Sequence, residues 1–389
     1  MKEMIDLFGG HFMSPVPNPY PTYATLRRQQ PVRYLDLPIG PTYMVTRYDD
    51  VLSVLKDGNL YSSAINARGI GLVMGRTILE MDGKDHTRHR NLVSASFVPK
   101  ALQGDLPNAI HTMAHRLIDG FAEDGRAEIV AQFTRTLPVR VIAHIIGVPI
   151  EDYDTFQKWS FDVISFTEDP PRGFATAQAL VDFLRPIVDS RRAEPRNDLL
   201  STLVHAEVEG QRLTDEEVYG FLRLMLPAGA ETTYRLIGST LFALLLHPEQ
   251  LDEVRADRAQ LEWAIEETLR WEAPVQFASR NTTAPTTLAG ADLPEGAQVL
   301  VALGSANRDD TRYADADRYD LHRHADDHLA FGFGRHFCMG SHLARLEART
   351  ALNALFDRLP NLRLDAAQDA GVVGMAFRSP NRVPVLFDR

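Results

Sequence analysis

From Thr214 to His247-Pro248 the chain keeps one helical pattern over roughly thirty residues, and this stretch limits the possible folds more than any other. Thr214 followed three residues later by Glu217 has the form of a capping box, and the proline closes the pattern. At the helical rise such a segment is a rod of roughly 45–50 Å, long enough to cross a whole domain. It must therefore be central, with the rest of the chain packed around it. Its most apolar part, Phe221 to Leu246, carries Arg223, Glu231 and Arg235, which makes it a poor membrane span.

Helical patterns also dominate from Lys84 onward, interrupted at Pro99, Gly125, the Gly147-Val148-Pro149 turn and Asp169-Pro170-Pro171. Asn18-Pro19 predicts a helix start, with Asn18 as cap and Pro19 as first helical residue. Asp49 or Asp50 is expected to cap a short helix ending before Gly58. Another helix is expected around Leu261 to Trp271. Strand signals are fewer: Tyr43 to Thr46, Thr286 to Leu288, Gln298 to Ala302, and the region from Val372 to Phe387. The expectation is a mainly α fold with a smaller β portion, one domain over residues 1–389 and no linker. A net charge of −11 argues against a nucleic-acid binder. The amino terminus shows no signal-peptide pattern.

Cys338 is the only cysteine among 389 residues, so no internal disulfide is possible and a reducing cytoplasm is expected. It lies in the run Phe331-Gly332-Phe333-Gly334-Arg335-His336-Phe337-Cys338-Met339-Gly340, and a helical pattern from Ser341 to Phe356 follows. A lone cysteine is commonly an inert buried side chain. Here a helix start favours the thiolate, and glycines allow the backbone to approach something flat or bulky. The pattern points to a thiolate under a large planar partner.

Ala228-Gly229-Ala230-Glu231-Thr232-Thr233 sits within the long helix. A threonine at 232 predicts a hydroxyl bond to the carbonyl of Ala228, and Pro227 leaves the carbonyl of Arg223 without its helical donor. A kink is expected there. Two readings fit the segment: a packing bend with Glu231 paired to an arginine, or a groove holding an acid and an alcohol for proton delivery. Glu267 and Arg270 stand three apart on one helix face, and Arg323 is positioned to complete a buried charge cluster; Glu266 is a competitor for Arg270. His86, Arg90, Arg280 and His336 are cationic or donor groups suited to a dianionic ligand. The glycine-rich apolar segment around Ile70, Leu72, Val73 and Met74 reads as a pocket wall.

Together these residues resemble the cytochrome P450 superfamily in its soluble bacterial form, over essentially the whole chain. Phe331-Gly332-x-Gly334-x-His336-x-Cys338-x-Gly340 matches its heme-binding signature, which is highly specific. Ala228-Gly229-x-Glu231-Thr232-Thr233 is similar to its oxygen-activation segment, and Glu267-x-x-Arg270 with Arg323 to its structural charge triad. Ala306-Asn307-Arg308-Asp309 is also similar to a stretch of bacterial members. The resemblance implies heme b (iron protoporphyrin IX), with Cys338 as axial ligand to the iron. It implies cofactor contacts from Phe331, Gly332, Gly340, Ala228 and Gly229, with propionates held by His86, Arg90, Arg280 and His336. Thr232 and Glu231 would be the activating alcohol and the proton donor.

The implied reaction is insertion of one oxygen atom from dioxygen into a mostly apolar small molecule. Electrons would come from a separate ferredoxin or flavodoxin-type donor, docking on the Cys338 side near Arg335 and Arg345, since no fused reductase is expected. Pocket candidates by position are Ile70, Leu72, Val73, Met74, Leu224, Pro227, Gln276, Phe277, Met375 and Phe377. A peroxide-driven enzyme and a non-catalytic heme sensor are the alternatives, and the pair Glu231 and Thr232 weighs against both.

Overall fold

The computed structural model describes residues 2–10, 13–37, 40–94, 96–148, 153–208 and 210–389. Pro149, expected at a turn, lies outside them. The predicted rod is the helix Asp215–Leu246, 32 residues long. Its capping box is present: Thr214 N donates to Glu217 Oε2 at 2.8 Å, and Glu217 N to Thr214 Oγ1 at 3.3 Å. The helix runs through Pro227 without interruption. Thr232 Oγ1 donates to the carbonyl of Ala228 at 2.8 Å, as its spacing predicts, and the segment packs into the surrounding core.

The helices Thr136–Ile146, Gln260–Trp271 and Ser341–Arg358 pack most extensively against this rod. Their apolar faces merge with Leu222, Leu226, Ile237, Leu241 and Leu244 into the largest hydrophobic core. Each fully buried leucine or isoleucine there contributes about 1.5–3 kcal/mol relative to exposure, which is why so long a helix is held at the centre.

The β portion centres on a five-stranded sheet, in the order Val32–Leu37, Gly40–Val45, Gln298–Ala302, Phe277–Thr282 and Tyr61–Ser62. Gln298–Ala302 is parallel to Gly40–Val45 and antiparallel to Phe277–Thr282, where Val299 faces Arg280. The strand expectations at Thr286–Leu288 and Gln298–Ala302 match the observed bounds. Two helix starts differ. Pro19 is the cap rather than the first helical residue of Tyr20–Gln29, while Asn18 Oδ1 still accepts from Tyr20 N at 3.1 Å. Neither Asp49 nor Asp50 caps Tyr48–Lys56; both lie in its first turn, and the N–H of Tyr48 donates instead to Asp309 Oδ2 at 2.8 Å. That cap comes from 261 residues away. Among the described residues no helix is long and apolar enough to cross a membrane.

Candidate active site

Between the long helix, the Cys338 loop and the strand Phe277–Thr282 lies a cavity of about 470 Å³. Cys338 forms part of its wall, exposed to the cavity while protein encloses the other sides. The glycines explain the loop. Gly332 and Gly334 both have φ of +71°, a left-handed conformation that strains other residues. A Cβ at 334 would also stand 2.8 Å from the carbonyl oxygen of Leu55. Cys338 N donates to Phe331 O at 2.9 Å, which turns the thiol inward. Gly340 then caps Ser341–Arg358. Burial pushes the Cys338 thiol up, opposed by the backbone N–H of Gly340 and by Arg90 and Arg345. Phe331 lies beside it, its ring 4.6 Å from the guanidinium carbon of Arg345.

The cationic residues expected around a dianion do converge on one side of this cavity. His86, Arg90, Arg280 and His336 all line it. The rings of His86 and His336 lie 4.2 Å apart, and His336 Nε2 is 3.0 Å from Ser63 Oγ and 3.6 Å from Asp82 Oδ1. Burial, with Arg280 and His86 nearby, pushes His336 down to about 4, so it is neutral at pH 7. Burial likewise lowers His86. Its Nε2 is buried without a partner among the described residues, an orphan that an anionic oxygen would satisfy. Arg90 donates to the carbonyl of Phe337 at 2.7 Å.

On the opposite wall, Ala228, Gly229, Glu231 and Thr232 face the cavity. Glu231 is buried and paired with Arg235, whose Nε donates to Glu231 Oε1 at 3.0 Å. The arginine pairing and the position beside Thr232 thus hold together, where the sequence offered them as alternatives. Burial raises the Glu231 carboxyl, and Arg235, Arg135 and Tyr234 pull it back.

The charge cluster is assembled as expected. Glu267 and Arg270 are fully buried, and Arg323 Nε donates to Glu267 Oε1 at 3.3 Å. Glu266 does not compete for Arg270. It takes a fork from Arg345 at 2.5 and 2.7 Å and lies 3.1 Å from His328. Arg345 is therefore committed inward rather than free to meet a docking protein, whereas Arg335 is exposed.

Of the pocket candidates, Ile70, Met74, Leu224, Pro227, Phe277 and Phe377 line the cavity. Four do not. Leu72 is 57% exposed on the outer face of the one-turn helix Gly71–Met74, and Val73 is buried in a cluster with Met74, Val163, Ile164 and Ala177 without lining the cavity. Met375 packs in the core near Tyr23 and Leu300, and Gln276 spends its amide on the carbonyl of Ala273 at 2.8 Å. Sequence reasoning also missed lining residues from distant elements, among them Phe97, Ile142, Ile164 and Leu303, for which no local pattern exists.

A family model described as Cytochrome P450 matches residues 161–361. The chain is 38% identical over 359 residues to the cytochrome P450 monooxygenase PikC of Streptomyces venezuelae, covering 90% of this chain and 86% of that protein. The chain belongs to the cytochrome P450 family. The P450 is also 36% identical over 393 residues to a vitamin D(3) 25-hydroxylase of Pseudonocardia autotrophica, covering 98% and 96% of the two chains. The solved structure of the Bacillus subtilis P450 PksS superposes with a TM-score of 0.89 at 31% identity, over 96% of this chain and 97% of that one. Like its relatives it is a bacterial-type P450 monooxygenase with heme b as cofactor, and mainly α with a smaller β portion. The cavity fits that group: a thiol on one wall, a helix that presents Ala228 and Gly229 to it, and cationic or donor side chains at one edge, with His86 Nε2 unpaired among the described residues.

Proposed function

We propose that this P450 hydroxylates or epoxidises a mostly apolar small molecule of steroid or polyketide size, with electrons from a separate ferredoxin or flavodoxin-type protein. One observation carries the reading: Cys338 and Thr232, 106 positions apart, line the same largely apolar cavity. Cys338 would hold the heme iron through its thiolate, and the Gly340 N–H would temper its charge. His86, Arg90, Arg280 and His336 would hold the propionates. Bound heme supplies the dioxygen chemistry at the iron.

The chain's own groups do the rest. Thr232 Oγ1 donates its proton to the Ala228 carbonyl, so the hydroxyl is oriented and its lone pairs are left to accept a hydrogen bond from the cavity. Glu231 stands next in line, with a proton affinity raised by burial, as a proton donor requires. Leu224, Pro227, Phe277 and Phe377 exclude water and grip an apolar substrate. The pairing of acid and alcohol disfavours a peroxide-driven enzyme or a sensor. The relatives' names, a polyketide-pathway P450 and a vitamin D(3) hydroxylase, support a mostly apolar substrate of that size. Arg335, near Cys338, is the cation offered to the electron donor, and a reducing cytoplasm is the matching setting. The whole of residues 1–389 is read as one catalytic domain.

Thr232→Ala tests this reading. Electrons should then leave as hydrogen peroxide at the expense of product, with substrate affinity little changed. Full coupling of electrons to product in that variant would refute the role of Thr232.

A further inference from the structure

The acid Glu231 is held by a side chain that also reaches the far wall of the pocket. Arg235, one helical turn on, donates from Nε to Glu231 Oε1 at 3.0 Å and from Nη2 to the same oxygen. Its remaining branch, Nη1, donates to Ser379 Oγ at 3.1 Å. The guanidinium carbon also lies 5.5 Å from the ring centroid of Phe377 and 4.9 Å from that of Tyr234. Phe377 and Glu231 both line the cavity, while Arg235 does not. One cation thus joins a substrate-facing ring to a proton-bearing acid from behind the wall.

The turn carrying Phe377 and Ser379 is stiff. Gly374 has φ of +111°, and a Cβ there would collide with the carbonyl of Phe377. Gln276 N donates to Ala376 O at 2.9 Å, and Arg378 N to Pro274 O at 3.0 Å. The Arg378 side chain is anchored on Glu272 at 2.8 Å and on the carbonyl of Val16 at 2.9 Å. A push on the Phe377 ring is therefore passed to its neighbours rather than absorbed by the backbone. The other groups facing Glu231 are Arg135, at the start of the helix Thr136–Ile146, and Tyr234, whose hydroxyl is 3.5 Å from Glu231 Oε1. Neither touches the turn through any contact described for Arg235. Glu231 Oε2 is buried without a hydrogen-bond partner among the described residues, so the carboxylate relies on the single oxygen that Arg235 holds.

We propose that Arg235 is a positioning residue through which the turn Gly374–Pro380 sets the proton affinity of Glu231, so that a substrate pressing on Phe377 adjusts the proton supply beside Thr232. The catalytic meaning rests on the reading of Glu231 as proton donor; the linkage itself does not.

The test follows the carboxylic C=O infrared band of Glu231 against pH in the resting ferric protein, identified by its loss in Glu231→Gln. Arg235→Gln should raise the proton affinity of Glu231 at least about ten-fold, because the nearest opposite charge is gone. Arg235→Lys keeps the charge and should restore most of it. Ser379→Ala removes the partner of Arg235 Nη1 and Phe377→Leu the ring beside its guanidinium, and in the substrate-free protein both should shift the titration in the same upward direction by a smaller factor. If Ser379→Ala and Phe377→Leu leave the titration in place while Arg235→Gln moves it, the turn does not act on the acid and the proposal is wrong. If Arg235→Gln also leaves it in place, the ion pair has no influence and the proposal is equally wrong. Coupling in Glu231→Gln separates the two ideas: intact coupling removes the proton-donor role and leaves the infrared result standing.

Discussion

Arg270 offers the sharpest energetic test of the fold around the Cys338 loop. All five of its N–H donors are used: Nε and Nη2 on the two oxygens of Glu267 at 2.8 and 2.7 Å, Nη1 on the carbonyls of Asn307 and Ala316 at 3.0 and 2.7 Å, and Nη2 again on the carbonyl of Arg318 at 3.1 Å. Both side chains are fully buried. Arg270→Met removes the cation and leaves Glu267 with Arg323 at 3.3 Å and the N–H of Asp320 at 2.9 Å. Breaking one partner of a buried ion pair costs about 3–5 kcal/mol. The three carbonyls that lose a donor place this variant at the upper end, about 5 kcal/mol, a large share of a total stability of about 5–15 kcal/mol. Glu267→Leu with Arg270→Met removes both charges, and its loss should fall well below the sum of the two single losses. Urea unfolding, followed by tryptophan fluorescence and by the heme absorption band, measures this. The midpoint should fall with the slope unchanged. A loss of under about 1 kcal/mol in Arg270→Met would refute the reasoning, because exposed pairs are worth that little.

Cys338→Ser should abolish the red-shifted carbonyl band of the reduced protein, and an unchanged band would end the thiolate assignment. Replacing His86 and Arg280 together should weaken heme retention, measured by heme transfer to an acceptor protein; unchanged retention would remove both from the propionate site. Burial opposes ionisation of Glu266, yet the Arg345 fork and His328 hold its carboxyl down at about 2 against an ordinary 4.5. A depressed carboxyl stabilises the fold above its unfolded value and loses that contribution as pH falls through the folded one. Stability should therefore decline between about pH 5 and about pH 2 by roughly 3 kcal/mol from this group, and Glu266→Gln should flatten that part of the profile.

The residues legible in the sequence were those whose partners lie a fixed few positions away. The capping box of the long helix, the bond from Thr232 to Ala228 and the pair Glu267 and Arg270 all follow from helical spacing. The glycine pattern around Cys338 was equally readable, since positive φ and close backbone approach leave glycine as the fitting residue. Arg235, four residues from Glu231, carries the same kind of signal and is the arginine that the reading of Glu231 as an ion-paired acid left unnamed. The pocket walls were less legible. Ile70, Leu72, Val73 and Met74 are all apolar, and only the packing of this segment against the rod puts Ile70 and Met74 on the cavity wall, buries Val73 behind it and turns Leu72 outward.

By itself, the sequence determined the family, the central rod, the glycine-rich loop around Cys338 and the adjacency of Glu231 and Thr232, because each is written in short-range spacing. Tertiary structure alone decided that Asp309 caps the helix at Tyr48, that Arg345 turns inward to Glu266, and that Ser379 and Phe377 stand behind and beside Arg235. Those contacts join residues dozens to hundreds of positions apart. Their geometry is set by how helices and sheet close around one cavity, and no local period records it.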